Sequence, residues 1–164
     1  MHIKNNNYLY DRMIVVKDNN VFSNNDVTIS VYNLQISRNF FAIKVTLHTN
    51  IKTETICLVF DSIEACLNNA NDTIYIEMDI ANCELISLSQ LEQISRKLGT
   101  LRRLLSQKLV ATFIRCSNDT YWAKGMYGTL ISFFKTLYTP VKPYEFYFTE
   151  KDRISLYTKY EAKA

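Results

Sequence analysis

Glycine and proline are scarce in this sequence, which contains three glycines and two prolines among 164 residues. No glycine-rich run follows a candidate strand, so the chain lacks the backbone cradle that nucleotide-binding α/β proteins form around phosphates. No apolar run reaches the roughly 18 residues that a membrane-spanning helix needs. Residues 1–7 are polar and lack the apolar segment of a secretory signal. We therefore expect an intracellular, cytoplasmic protein.

Cysteine pairs with metal-binding spacing are also missing. The four cysteines are widely spaced and are not near either histidine in sequence: Cys57, Cys66, Cys83 and Cys116. This spacing predicts neither a metal site nor a cofactor site. Cys83 and Cys116 flank strand ends and could be nucleophiles, but a reactive thiol needs a base or a positive neighbour, and nothing ties His48 to either. Reduced, buried thiols are the favoured explanation.

The overall composition is that of a soluble globular domain. Hydrophobic residues make up 48% and charged residues 21% of the chain, which is long enough to bury a real core. The net charge of +3 is too small to favour nucleic acid as a partner. Asn, Lys, Ile and Tyr are abundant, and their AT-rich codons suggest an AT-rich genome, such as that of a protist or a large DNA virus.

The first half of the chain is predicted to form strands and one helix. Residues 13–17, 27–34 and 40–47 are rich in β-branched and aromatic side chains. The Asn-rich segments 18–20 and 23–26 suit turns. Apolar residues at three- and four-residue spacing predict a helix over 53–69, although a strand up to Phe60 stays open.

The second half alternates strands and helices. Strands are predicted at 73–79, 109–116 and 144–148, and helices at 88–107 and 119–138, with a short terminal helix opened by Thr149 and Asp152. Ser87 and Gln90 form a capping-box pattern before the first of these helices. Its expected inner stripe is Leu88, Leu91, Ile94, Leu98, Leu101 and Leu105.

This order predicts an α/β fold. Strands separated by helices of this length pair in parallel through right-handed crossovers. We expect a mixed sheet with antiparallel N-terminal strands and parallel C-terminal strand-helix units. Residues 1–26 are predicted to be an N-terminal extension with an edge strand, and residues 27–164 a single domain.

The segment from Asp79 to Leu91 resembles the STAS domains, the family of bacterial anti-sigma-factor antagonists and of the cytosolic parts of sulfate transporters. Their segment is a strand ending in Asp-Leu-Ser-Gly, then Val-x-Phe-Ile-Asp-Ser-Ser-Gly-Leu opening a helix. Aligned without gaps, Asp79 takes the strand-end aspartate, Ile86 the apolar residue before the Asp-Ser pair, and Leu91 the helix leucine. The resemblance implies a SpoIIAA-like architecture that binds proteins.

The switch residues of that family are not matched. Its phosphorylatable serine falls on Leu88, the preceding aspartate on Ser87 and the glycine on Gln90. The resemblance therefore implies that the serine phosphorylation that controls binding in the family is absent here. Ser87 and Ser89 are the only nearby hydroxyls.

Residues 137–152 also resemble the CRAL/TRIO lipid-transfer domains in their order of helix end, Pro-containing turn, short strand and terminal acidic helix. The two resemblances together span about residues 40–160. This second one implies an alternative function, the binding of a lipid or other apolar ligand, and predicts a closed apolar cavity of several hundred Å³.

Three features could carry function: Asp79, a basic surface and an aromatic helix. Asp79 could be a catalytic or ligand-binding carboxylate, but acceptance of hydrogen bonds from the loop backbone is favoured. A basic surface, Arg96, Lys97, Arg102, Arg103 and Lys108, could bind an acidic partner, a lipid headgroup or RNA, but a solvated helix face is commoner. The helix 119–138 is unusually aromatic and either packs on two sides or presents a patch to a partner.

We interpret the chain as a non-catalytic protein-interaction module, a regulatory or structural part of a larger assembly. The expected interface is the loop 80–90, the start of the following helix and the aromatic helix. Its residues are Asn82, Glu84, Ser87, Leu88, Ser89, Arg96, Arg103, Tyr121, Trp122 and Tyr127. No catalytic residue is predicted. An enzyme would require Asp79, a cysteine or His48 to meet another titratable group in a cleft.

Overall fold

The computed structural model describes residues 15–35, 39–83, 86–116, 132 and 135–163. They contain one six-stranded sheet with its strands in sequence order. The elements are β1 (Val15–Ser23), β2 (Val27–Gln35), β3 (Asn39–Leu47), α1 (Thr53–Asn69), β4 (Ile74–Asp79), α2 (Leu88–Thr100), α3 (Arg102–Lys108), β5 (Leu109–Arg115), β6 (Tyr144–Tyr147) and α4 (Glu150–Lys163).

Strand direction follows the prediction. β1, β2 and β3 pair antiparallel, and β3, β4, β5 and β6 pair parallel. The α/β class with antiparallel N-terminal strands and parallel C-terminal strand-helix units is therefore confirmed. β1 lies at one end of the sheet, and the division into an extension of residues 1–26 and a domain of residues 27–164 stays a prediction.

The turn predicted at residues 18–20 is wrong, because these residues lie inside β1 and pair with β2. Seven consecutive residues of β2, 28–34, pair with β1, and the register shifts between Asn20 and Phe22 where the chain continues as a strand. The chain turns at the second Asn-rich segment. There the Asn24 Oδ1 accepts hydrogen bonds from the N–H groups of Asp26 and Val27, each at 2.8 Å, as expected for an Asx-type turn.

Helices α1, α2 and α3 cover one face of the sheet. α1 has no side-chain cap at its start, so packing must hold it, and it buries an apolar stripe of Ile56, Val59, Phe60, Ile63 and Leu67. This stripe packs with Ile29, Val45 and Ile76 of the strands in one core. The period predicted for residues 53–69 thus corresponds to α1.

The helix predicted over 88–107 is two helices that meet at Leu101, whose φ of −94° and ψ of 1° are not helical. Gly99 and Thr100 precede the break and lower helix propensity. The Thr100 hydroxyl also donates to the Lys97 carbonyl at 2.7 Å. A second correction concerns Leu88, which was expected on the inner stripe but is 57% exposed.

Helix α4 covers the opposite face. Its N-terminus is capped by Thr149, whose Oγ1 accepts a hydrogen bond from the Asp152 N–H at 3.2 Å, and it runs for 14 residues rather than forming the short helix expected. Tyr157 of α4 packs edge-on against Tyr75 and Phe113, with ring centroids 4.9 and 4.8 Å apart. These rings form a second core that is separate from the aliphatic one.

The aromatic helix predicted over 119–138 lies largely outside the described residues. Within the described part, Ser132 and residues 135–137 are helical, and the chain leaves the helix before Pro140.

Candidate functional site

Asp79 lies at the carboxyl end of β4, where the loop 80–90 begins. Its Oδ1 accepts a hydrogen bond from the Ala81 N–H at 3.2 Å, and its Oδ2 accepts one from Arg115 Nη1 at 3.3 Å. The residue is 8% exposed. The expectation that Asp79 accepts hydrogen bonds from the loop backbone is confirmed, and the ion pair also ties the ends of β4 and β5 together.

A capping box fixes the other end of this loop. The Gln90 N–H donates to Ser87 Oγ at 3.1 Å, and the Ser87 N–H donates to Gln90 Oε1 at 2.9 Å, as the sequence pattern predicts. The Gln90 side chain also donates through Nε2 to the Ile51 carbonyl at 2.7 Å. The start of α2 is therefore bound to the segment before α1, and the first helical residue, Leu88, is held with its side chain in solvent.

The structure brings part of the predicted interface to one edge of the sheet, the one formed by the carboxyl ends of the parallel strands. The loop and the first turn of α2 follow the carboxyl end of β4, and Asn82, Ser87, Leu88 and Ser89 are all exposed there. Arg96 and Arg103 are exposed as well, farther along α2 and on α3. The other four predicted contacts, Glu84, Tyr121, Trp122 and Tyr127, lie outside the described residues and stay predictions.

Phe148 is an exposed aromatic residue that the sequence analysis missed. It directly follows β6, at the same carboxyl edge, and is 39% exposed. The sequence placed it in the strand 144–148, whereas β6 ends at Tyr147. With Leu88, it gives this edge two large apolar side chains in solvent.

Three of the five residues in the predicted basic surface have described contacts, and the first is Arg96, whose Nη2 lies 3.7 Å from Glu92 Oε2. Lys108 Nζ donates to the carbonyls of Leu67 and Ala70 at 2.6 and 2.7 Å, so it caps the C-terminus of α1. Arg102 Nη1 donates to the Thr139 carbonyl at 2.7 Å. Part of this basic surface is therefore a solvated helix face whose side chains also make structural hydrogen bonds.

A buried ionic cluster lies under α4. Glu77 of β4 is fully buried, and Arg153 Nε donates to its two carboxylate oxygens at 3.0 and 3.1 Å. Arg153 Nη1 reaches Glu150 at 2.6 Å, and the Tyr157 hydroxyl donates to Glu77 Oε1. Burial, then the Glu77 charge, raises the pKa of Tyr157 well above the usual tyrosine range.

This cluster was missed by sequence reasoning. A glutamate at the centre of the otherwise apolar strand 73–79 was the available signal, because a buried charge requires a partner. Its two partners, Arg153 and Tyr157, sit on α4, more than 70 residues later in the chain. Glu77 is enclosed and its charge is paired with that of Arg153, so the pair holds α4 on the sheet.

None of the four cysteines is in a disulfide, and Cys57 Sγ accepts a hydrogen bond from Gln93 Nε2 at 3.5 Å. Cys83 and Cys116 are buried, and Cys57 and Cys66 are half-buried. Burial raises the pKa of Cys66, which disfavours its thiolate. His48 Nε2 instead lies 2.7 Å from Thr28 Oγ1. Within the described residues, no group of three or more His, Cys, Asp or Glu side chains could hold a metal ion.

An apolar cavity of about 240 Å³ lies between the sheet and α1, α2 and α3. Its walls include Phe60, Ile76, Leu98, Leu105 and Ile114. The turn before β6, residues 138–142, forms the remaining wall. Among the described lining residues, only Thr112 and Lys142 add a non-aromatic polar group to the aliphatic and aromatic lining.

The sequence matches no protein-family model and no curated protein. The structure is similar to the crystal structure of an uncharacterised protein of the DUF3478 family, with a SpoIIAA-like fold, from Shewanella loihica PV-4. The TM-score is 0.50 and the identity 14%, over 82% of this chain and 98% of that one. At this identity the likeness concerns the fold alone. None of the helices in the described ranges has the length and apolar character needed to cross a membrane.

Proposed function

We propose that this chain, which has a SpoIIAA-like (STAS-like) fold, is a non-catalytic protein-interaction module that serves as a regulatory or structural component of a larger assembly. We place it in the reducing interior of the cell, since none of its four cysteines is in a disulfide. The proposed contact surface is the carboxyl edge of the parallel strands.

The exposure of Leu88 carries this proposal. Burial of a leucine that is 57% exposed by a partner would stabilise the complex by about 1–2 kcal/mol, a little over half of the general value for a fully exposed apolar side chain. The capping box keeps this residue at the first position of α2, so the side chain is presented by a rigid element. The resemblance to STAS domains places their phosphorylatable serine at the same position, which supports a role in partner binding without that switch.

The surroundings of Leu88 suit an interface. Asn82, Ser87 and Ser89 offer hydrogen-bonding groups around it, and Phe148 adds a second apolar side chain at this edge. Arg96 and Arg103 would supply a basic rim. An apolar centre with a polar rim is the usual anatomy of a protein interface.

Two features support a function without catalysis. The carboxylate of Asp79, the residue at the position where such sheets bind ligands, is already engaged by Ala81 and Arg115. The His48 Nε2 lies 2.7 Å from Thr28 Oγ1, and burial raises the pKa of Cys66, which disfavours its thiolate.

Affinity capture with three full-length baits tests the proposal. Wild type, Leu88→Glu and Val21→Glu are used to capture proteins from extracts of the cells that produce this protein, followed by quantitative mass spectrometry. Val21 on β1 is the matched control, because it is 49% exposed and lies at the far end of the sheet from β4. A protein held by wild type and Val21→Glu should be depleted at least tenfold with Leu88→Glu.

The captured protein must then bind the purified wild-type chain in solution. Denaturant titrations should give both variants the wild-type stability within about 0.5 kcal/mol, as for surface substitutions. Equal capture by all three baits, or none by any of them, contradicts an interface centred on Leu88.

A second candidate function is the binding of a lipid or other apolar ligand, the role that the CRAL/TRIO resemblance implies. The observation that favours it is the cavity of about 240 Å³. Ligand cavities usually measure about 300–1,000 Å³, so this one is small, and we rank the function second. Mass spectrometry of the native protein would show a co-purifying apolar molecule.

A further inference from the structure

The mouth of the apolar cavity is basic. Lys142 lines the cavity and also lines a shallow surface depression beside it, together with Lys135. Tyr138, Pro140, Val141 and Tyr144 are shared by both linings, so the turn before β6 separates the cavity from the depression. No Asp or Glu is among the described residues that line either space.

A third cation stands beside this turn. Arg102 is exposed, its guanidinium lies 5.9 Å from the centroid of the Tyr138 ring, and Nη1 donates to the Thr139 carbonyl at 2.7 Å. The carboxylate of Glu145 on β6 does not offset this charge, because it pairs with Lys159 of α4, on the opposite face of the sheet, at 2.8 Å. A negative group at the mouth would therefore meet Lys142 and Lys135, with Arg102 beside them, and no carboxylate among the described lining residues.

We propose that the cavity binds a single-chain amphiphile with an anionic head, its tail in the aliphatic interior and its head at the Lys142 side of the turn. This inference rests on the second candidate function and adds the class of the ligand. The shared chemistry is a carboxylate or phosphate on one unbranched chain, which a free fatty acid or a single-chain phospholipid could supply.

The volume limits the tail. An apolar cavity of about 150 Å³ holds one benzene molecule, so 240 Å³ admits a somewhat larger group. Taking roughly 30 Å³ for each water-sized group in a liquid, the cavity has room for about eight methylene groups. Two-chain lipids exceed this space, and a medium-length chain fits it.

Calorimetric titration of the full-length, delipidated protein tests the proposal. The probes are hexanoate, octanoate and decanoate, with 1-octanol as the uncharged match of octanoate and octyl phosphate as the phosphate arm. Affinity should rise about fourfold per methylene until the cavity is full. At least one of the two eight-carbon anions should bind about fivefold or more tightly than 1-octanol, and their order identifies the source. Acetate and inorganic phosphate should bind far more weakly.

Variants separate the head from the tail. Lys142→Gln should weaken octanoate several-fold and leave 1-octanol unchanged, whereas Lys151→Gln on the exposed surface of α4 should change neither. Leu98→Phe, which fills the cavity, should weaken both probes. Three outcomes overturn the proposal: no binding of any probe to wild type, equal affinity for the anions and 1-octanol, or no effect of chain length. The first outcome would mean that the protein's own side chains close the cavity.

The outcome is independent of the proposed interface. Leu88 does not line the cavity, so Leu88→Glu should retain wild-type affinity for octanoate. Loss of captured protein with unchanged octanoate binding supports both proposals. An absence of amphiphile binding leaves the capture result, and hence the interaction role, to be judged separately.

Discussion

Arg153 on α4 and Glu77 on β4 form an ion pair in the interior, with Nη2 2.9 Å from Oε1 and with 9% and 0% of the two side chains exposed. The Tyr157 hydroxyl donates to the same carboxylate. Burial disfavours the charge of Arg153, but the Glu77 carboxylate outweighs this effect and raises the pKa of the guanidinium above its already high value. Glu77 thus has two partners from one helix, which fixes where α4 lies on the sheet.

Removal of one member of this pair should be strongly destabilising. Arg153→Met leaves the Glu77 charge buried without its counterion, and we expect a loss of about 3–5 kcal/mol in the free energy of unfolding. Combining it with Glu77→Leu should restore most of the loss, because the residual cost is then chiefly the unpaired Tyr157 hydroxyl. Urea denaturation of the two single variants and the double variant measures this.

The matched control is Lys159→Met, which breaks the half-exposed pair with Glu145 and should cost less than about 1 kcal/mol. If Arg153→Met proves as mild as Lys159→Met, Glu77 does not depend on Arg153 in the folded protein.

Alkaline pH should destabilise the fold. Burial, and then a hydrogen bond to Glu145, raises the pKa of Tyr160 to about 12 in the folded protein, whereas an unfolded tyrosine titrates near 10. The unfolded chain then holds fewer protons than the folded one, so the unfolding free energy decreases as pH rises. Tyr160 contributes to this decrease from about pH 10 until it ionises in the folded state near pH 12.

Tyr160→Phe should reduce the alkaline slope and cost about 1 kcal/mol at neutral pH through the lost hydrogen bond. Thermal unfolding measured from neutral to alkaline pH, with tyrosinate absorbance followed in parallel, gives both quantities. An unchanged slope in the variant would mean that Tyr160 titrates alike in both states.

Local sequence patterns predicted which helices and strands form better than they predicted where these elements end or what they pair with. The alternation in β2 and the helical period of α1 depend on neighbouring side chains, and both were found in the sequence. At Leu101 and at residues 18–20 the local sequence preferences are weak, and packing overrides them. The pattern of residues 88–107 continues through the break, so periodicity alone does not detect it.

The site was predictable only where its contacts are local. The capping box of Ser87 and Gln90 spans three residues and was recognised, as was the role of Asp79 in its own turn. The bond from Gln90 to the Ile51 carbonyl spans 39 residues, and the pair of Glu77 and Arg153 spans 76. No pattern in a single sequence specifies such partners, although a buried glutamate indicates that a partner is required.

Lys108 should be important for α1, a helix that lies in another part of the sequence. Its ammonium group donates to the carbonyls of Leu67 and Ala70, at the helix end where the Leu67 carbonyl also accepts a 3.4 Å bond from the Ala70 N–H. Lys108→Met keeps the apolar stem and removes these bonds, and we expect a loss of about 1.5–3 kcal/mol. Chemical denaturation gives the loss, and hydrogen exchange should show faster opening at the C-terminal turn of α1.

Lys97→Met is the control for Lys108→Met, because Lys97 is a half-buried lysine with no side-chain bond to the end of α1 among the described contacts. Its unfolding free energy should stay within about 0.5 kcal/mol of wild type. Equal effects of the two substitutions would assign the loss at Lys108 to charge rather than to capping.

The capping box before α2 should matter for stability and for the geometry of the proposed interface. Ser87→Ala removes the acceptor for the Gln90 N–H and should cost about 1 kcal/mol. Gln90→Ala removes both the reciprocal bond and the bond to Ile51, so its cost should exceed that of Ser87→Ala by about 1 kcal/mol. Thermal denaturation ranks the stabilities of the two variants. Partner capture, measured below both melting temperatures, should fall more for Gln90→Ala, because the first turn of α2 then loses its attachment to the segment before α1. The reverse order of stabilities would show that the Ile51 contact contributes little, and Leu88 would then be positioned by the Ser87 cap alone.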